Sequence, residues 1–271
     1  MRWTSFVVSA VLALTSGCAY RPLSGSALDA TKTVAFIARI EDQAGPQSWV
    51  FRDDNAYREK LKRLDEKEAD RRLGNALTVG SYNKKNELEA HTITRFELAD
   101  SLRSNTLAAL PRREPWSDVV HPVQVARVLE SFLVQEVPAN APDYERLSAL
   151  GADTVVEIVI EEYGMRSEKG VAGVYMYGFA RMFRIGGAEL YRRSFFSDDI
   201  RAGMPHLDPF EVRKNAQLFA VRVKQMVEAV AKQVAKDLSP EDREGPPKPE
   251  RDDTKKPAKN DQSVPQADDP L

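Results

Sequence analysis

Cysteine is almost missing from this sequence: Cys18 is the only one in 271 residues. No disulfide can form within the chain, so the lone cysteine needs another explanation. Histidine is nearly as scarce. His91, His121 and His206 have no second histidine or cysteine at zinc-ligand spacing, which argues against a structural zinc site. They read as surface or loop residues. No run reaches 18 apolar residues, so no segment is long enough to span a bilayer as a helix. Neither charge sign dominates. Lys and Arg total 39 against 41 Asp and Glu, a net charge of −2, which gives no basic face for nucleic acid. Also missing are the phosphate-cradling G-x-x-x-x-G-K-S/T loop, the G-x-S-x-G elbow, the H-E-x-x-H pair and a calcium loop. The sequence therefore predicts no catalytic residue, no metal ligand, no cofactor and no enzyme activity.

What is present begins at the N-terminus. Arg2 supplies a positive start, Trp3 to Leu14 is apolar, and Thr15, Ser16 and Gly17 are small residues before Cys18. This is the layout of a secretory signal. Its apolar stretch would make about 18 Å of helix, short of a ~30 Å hydrocarbon core. The segment Leu14-Thr15-Ser16-Gly17-Cys18 resembles the bacterial lipobox, with Thr15 where leucine is usual. The resemblance implies cleavage before Cys18 and its acylation, for instance with palmitate. The competing reading is cleavage nearby by an ordinary signal peptidase, with Cys18 incidental. Each buried CH₂ contributes about 0.8 kcal/mol, so two or more acyl chains anchor a protein without a spanning helix. Ala19 follows the cysteine instead of Asp, which in Gram-negative lipoproteins implies an outer-membrane anchor facing the periplasm.

Composition divides the rest. Residues 1–17 are the signal peptide. Residues 18–31, small and polar with Pro22 and Gly25, read as the lipidated N-terminus and a flexible tether. Residues 32–238 read as a single α/β domain, with a charged helical insertion at 41–91. The last 33 residues, 239–271, hold seven prolines and fifteen charged side chains and bury too little to offset the entropy of ordering. That tail reads as a disordered solubilising segment or a spacer.

Within the domain, Thr33–Ile40 is an apolar β-branched run, predicted as a strand buried on both faces. Thr94 and Glu97 form a capping box that opens a helix to Leu110, stopped by Pro111, with Phe96, Ala99, Leu102, Thr106, Leu107 and Leu110 close to one face. Trp116–His121 reads as a short strand. Pro122 reads as the first residue of a helix running to about Gln135. Asp143–Leu150 is a short helical piece ended by Gly151. Asp153–Tyr163, Val171–Ile185 and Ala188–Phe196 are strands, the last two joined at Gly186-Gly187. Gly178 inside a strand marks a bulge or a close backbone approach. Asp208 and Pro209 open one long helix to Leu238, about 45 Å. The fold class predicted is α/β: a mixed sheet of about four to five strands packed by helices, with the charged insertion and a long C-terminal helix.

Several stretches are similar to the curli-secretion lipoproteins and the lipoproteins that activate penicillin-binding proteins, whose fold is related to anticodon-binding domains. They are TVAFIARI, ELADSLRSNTLAAL, LSALGADTVVEIVIEEYG and MYGFARMFRIGGAELYRRSFF, together spanning roughly 32–40 and 94–237. The charged insertion departs from that pattern, and no membrane-inserting hairpin is evident. The resemblance implies an assembly or scaffold role in the cell envelope, and none of its motifs is chemically specific.

Candidate partner contacts are few. Tyr57, Leu61 and Leu64 form a narrow apolar stripe on a charged helix, flanked by Glu59/Arg63 and Glu68/Arg72 pairs. The stripe reads either as a solvated helix resting on the domain or as a partner-binding arm. Val230 and Val234 lie on the apolar stripe near the end of the long helix. Replacing both with Asp is expected to weaken assembly if that end is an interface, and to abolish folding if it is core. Glu157, Glu161 and Glu162 are the only carboxylates that suggest acid–base work, as in a cell-wall glycosidase. Alternation with Val and Ile explains Glu157 and Glu161 as a solvent-facing strand edge. Tyr175, Tyr177, Phe179 and Phe183, with Arg181 and Arg184, are core packing under a helix or an exposed stacking surface. The function expected is non-enzymatic: a lipid-anchored envelope protein whose partners are the membrane, other envelope proteins or its own copies. The alternative is a periplasmic binding module for a small ligand, lipid or glycan, which requires a concave pocket.

Overall fold

The computed structural model describes residues 21–51, 54–61, 66–82, 88–129 and 144–239. The expected signal segment, Cys18, Leu64 and the tail beyond Ser239 lie outside the described residues.

The chain is α/β, as its pattern predicts. A five-stranded mixed sheet is built on two long strands, Thr154–Glu168 (β5) and Val171–Arg184 (β6), paired antiparallel. Val34–Ile40 (β1) runs parallel to the first half of β5, and Gln47–Trp49 (β2) runs parallel to the second half. Glu189–Asp198 (β7) pairs antiparallel with β6 and forms the opposite edge. Gly178 sits where β5 bulges between Ile160 and Glu162. A Cβ there would stand 1.9 Å from the Val159 carbonyl oxygen, so the close approach admits only glycine.

One face of the sheet is covered by Arg95–Ala109 (α4) and Gln217–Leu238 (α7), which also pack on each other. Phe36, Val156, Ile158, Ile160, Met176 and Met182 meet Leu98, Leu102, Val223, Val227 and Val230 there. Each fully buried large side chain stabilises the fold by about 1.5–3 kcal/mol, so this layer is the main core. The other face is covered at one end by Pro122–Val128 (α5) and the 3₁₀ turn Tyr144–Leu150, through Ala35, Ile37, Val125, Leu147 and Val155.

The structure departs from the sequence pattern at several points. Residues 21–31 are no free tether. Arg21 exchanges two backbone hydrogen bonds with Arg192 on β7, at 2.9 and 3.0 Å, and Leu23 and Leu28 of the following segment are buried. Ser24 caps the short helix Gly25–Asp29 (α1). The 41–91 segment is not a solvated appendage. It contributes β2 to the sheet, helices Asn55–Lys60 (α2) and Glu66–Thr78 (α3), and a two-stranded ribbon, Gly80–Tyr82 (β3) with Leu88–His91 (β4). Leu73, Ala76 and Leu77 of α3 are buried despite the charges around them. The Thr94/Glu97 capping box forms as expected, but Phe96 is 76% exposed and Leu98 takes the inward place. Trp116–His121 makes a single bridge, Val119 to Val34, instead of a strand. The predicted C-terminal helix is two helices, Pro209–Lys214 (α6) and α7. The break falls at Asn215, whose side chain accepts from the Gln217 amide, while the Ala216 amide donates to buried Ser81 of β3.

Candidate functional site

Polar and aromatic residues gather on the sheet face that α4 and α7 leave free. Strand alternation puts Val156 and Ile158 into the helix-covered core and turns Glu157 the other way. Glu157 is 0% exposed, on a central strand, and this corrects its reading as a solvent-facing edge residue. One carboxylate oxygen accepts from Arg39 Nε at 2.7 Å and from the Tyr144 hydroxyl at 2.6 Å. The other accepts from Arg181 Nε. Burial pushes the carboxyl up, but the bonds from Tyr144 and Arg39 and the two guanidinium charges outweigh it, and the group is held below its ordinary value. Burial and the adjacent carboxylate push the Tyr144 hydroxyl far up, so it stays a hydrogen donor.

Glu162, past the bulge, is the hub of a second cluster. It accepts from Trp49 Nε1 at 3.1 Å, from the Tyr175 hydroxyl on the same oxygen, and from Tyr177 at 2.8 Å on the other. The Glu162 bond and burial push Tyr177 up to about 12. Glu161, between the two clusters, is pushed up by burial and by Glu41.

This arrangement locks charges in place. Both oxygens of Glu157 and of Glu162 accept hydrogen bonds from neighbouring side chains. Two of the aromatic rings, Phe179 and Phe183, carry an arginine over them. Arg192 sits 4.3 Å from the centre of the Phe179 ring, Arg181 sits 4.9 Å from that of Phe183, and Tyr144 packs against Phe183 at 5.1 Å. A stacking ligand would have to displace a guanidinium from Phe179.

The histidines have structural partners in two cases. His206 Nδ1 accepts from the Ala172 amide at 3.0 Å, and its Nε2 lies 3.2 Å from the Tyr57 hydroxyl. His121 accepts from the Val123 amide and so caps α5. Among the described residues no cluster of His, Cys, Asp or Glu could hold a metal ion, and no helix is long and apolar enough to cross a membrane.

The candidate partner contacts are placed inward. Tyr57 and Leu61 are buried in the core beside Phe51 and Leu73, and Val230 and Val234 are 1% and 2% exposed. A side chain enclosed by its own domain presents no surface to a partner, so these four act as core residues. The long helix ends on a buried Leu238 and does not project. The exposed apolar side chains among the described residues include Phe96 on α4, Leu218 and Val221 on α7, and Val79, Tyr82 and Leu88 on or beside the β3–β4 ribbon. Near that ribbon lies a cavity of about 460 Å³ bordered by α3, β3 and α6.

No family model matches this chain, and no curated protein matches it. Solved structures resemble it weakly. Protein XCC0632 of Xanthomonas campestris, labelled DUF330, is 9% identical with a TM-score of 0.36, over 81% of this chain and 86% of that one. The hypothetical protein CT253 of Chlamydia trachomatis is 12% identical with a TM-score of 0.28, over 77% and 98%. Lipoprotein GNA1162 of Neisseria meningitidis is 12% identical with a TM-score of 0.29, over 76% and 99%. Resemblance this slight assigns neither family nor function. None of the three names is that of a curli-secretion lipoprotein or a penicillin-binding-protein activator.

Proposed function

We propose that this protein is a lipid-anchored bacterial envelope factor that works without catalysis, through protein contacts made close to the membrane. The observation that carries this reading is the pinning of Arg21 to Arg192 on β7, three residues after the cysteine of the lipobox-like segment. Three extended residues reach about 10 Å, so acyl chains on Cys18 would hold the sheet almost against the bilayer. The capped carboxylates Glu157 and Glu162 support a non-enzymatic role. Contacts with envelope partners or with another copy would fall on the exposed Phe96, Leu218 and Val221 side chains. The fold-level resemblance in the early strand, the capped helix and the long β-hairpin fits the same kind of role. An outer-membrane anchor facing the periplasm is the placement that Ala19 favours.

The test is metabolic labelling of the full chain in a bacterial host with a palmitate analogue, followed by membrane fractionation. Label on the wild type, none on Cys18→Ser, and release of that variant from the membrane are expected. An unlabelled, soluble wild type would overturn the anchor. Cross-linking of the anchored protein should trap an envelope partner or a self-oligomer, and Phe96→Asp should reduce its yield at least severalfold. A cross-linking pattern with no partner would overturn the scaffold role.

A further inference from the structure

The cavity at the ribbon end brings together side chains far apart in sequence. Arg72 and Asn75 come from α3, Tyr82 from β3, and Phe210, Arg213 and Lys214 from α6. Among the described residues no carboxylate lines it. Two acids on the bordering helices are already engaged: Glu68 by Arg71 at 2.7 Å and Arg72 at 2.6 Å, and Glu211 by Lys214 at 2.7 Å. Among the described residues three cations, Arg72, Arg213 and Lys214, line the cavity, and of these Arg213 has no carboxylate bonded to it. Its guanidinium lies over the Phe210 ring at 6.0 Å and forms no ion pair among the described residues. Burial first, and then the charge of Arg72, lower its affinity for its proton, and the Glu68 charge offsets them only in part. A cation in the last turn of a helix is ordinary, because the exposed carbonyls there favour it. A second guanidinium brought toward it across a half-enclosed space is not. Like charges held together this way raise the folded state's energy unless an anion lies between them.

From this geometry we infer that the cavity between α3, β3 and α6 binds a phosphate-bearing ligand. Guanidinium groups present paired donors that match phosphate oxygens, Lys214 adds a point charge, and the Asn75 amide adds further donors. The three cationic side chains of the lining suit an anionic phosphate group. Phe210 and Tyr82 give an apolar and aromatic wall for whatever carries the phosphate. A soluble phosphate ester and a phospholipid headgroup share this chemistry. The inference does not depend on acylation of Cys18.

The experiment uses the full chain in mild detergent, titrated calorimetrically with phenyl phosphate and with inorganic phosphate, at constant ionic strength set with chloride. A parallel arm measures cosedimentation with phosphatidylcholine vesicles with and without phosphatidic acid. Saturable binding of at least one phosphate probe is expected, weakened at least tenfold in Arg213→Gln and in Arg72→Gln. Binding to the ester alone identifies a soluble ligand. Binding to the phosphatidic acid vesicles, lost in Arg213→Gln, identifies a headgroup. Arg213→Gln should also keep or raise the ligand-free melting temperature, because it removes the repulsion without breaking an ion pair. No saturable binding to any probe, or equal binding by the two variants and the wild type, overturns the inference.

Discussion

Glu157 shows how one buried carboxylate decides the character of the sheet's polar face. Its two oxygens take donors from Arg39, Tyr144 and Arg181, which stand on β1, the 3₁₀ turn and β6. Removing one member of a buried, hydrogen-bonded ion group leaves the others desolvated and unpaired, so Glu157→Gln should destabilise by about 3 kcal/mol. The sign of the pH effect follows from the direction of the shift. The carboxyl is held below its ordinary value in the folded chain. Its contribution is present above the unfolded value, near 4.3, and is lost as pH falls through the lower folded value. Denaturant melts at stepped pH should therefore show wild type and Glu157→Gln far apart at neutral pH and converging in acid. A constant gap would remove the ion group as its cause. Gly178 is the second residue with a sharp expectation. An alanine methyl there meets a backbone oxygen that cannot swing aside. Gly178→Ala should destabilise by about 3 kcal/mol, at the upper end for overpacking, read as a lowered melting temperature. The glycine was legible in the sequence as a bulge or close approach. The glutamate was not, because period-two alternation reports which way a side chain points and not what waits there.

At the level of elements, the capped helix α4 was the most legible, since Thr94 and Glu97 satisfy each other's backbone within one turn and need no tertiary partner. Thr94→Ala should destabilise by about 1 kcal/mol in a melt. The face α4 buries was less legible. Phe96, near its start, lies beyond the reach of the sheet, and Leu98 points inward instead. The charged segment misled for a related reason. Its apolar residues are sparse, but α3 buries Ala69, Leu73, Ala76 and Leu77 along one stripe, so the density of charge says little about the face beneath it. Helix α7 carries a clear stripe, yet the break before it was hidden. The Asn215 side chain accepts from the first amide of α7, and a buried serine from a distant ribbon holds the amide before it. Val230→Asp with Val234→Asp should prevent folding, seen as loss of the cooperative thermal transition. A folded double variant would mean that this end of α7 is not core.

At the scale of the whole molecule, a mixed sheet packed by helices was foreseeable, while its strand order and the cationic cavity were not. Arg72 and Arg213 are linked only by the packing of α3 on α6, and no local pattern reports that contact. The N-terminal segment was misread for the same reason. Short polar residues suggest slack, yet Leu23 and Leu28 tie the segment into the core. A flexible ten-residue insert after Arg21 should leave acylation unchanged and loosen the spacing between domain and membrane, measurable by fluorescence transfer from a labelled headgroup. Unchanged transfer would show that the pinned segment does not set that spacing.

Strand β7 is the outer rung of the sheet, and its outward amides and carbonyls are met at Arg192 by the backbone of Arg21. An unshielded rung of this kind is a template on which another chain can add a strand. The N-terminal segment is thus a guard rail as well as a mooring. Chains shortened to begin at residue 32 would lose the rail together with Leu23 and Leu28. They should self-associate in proportion to concentration, as light scattering would record, while chains beginning at residue 19 should stay dispersed.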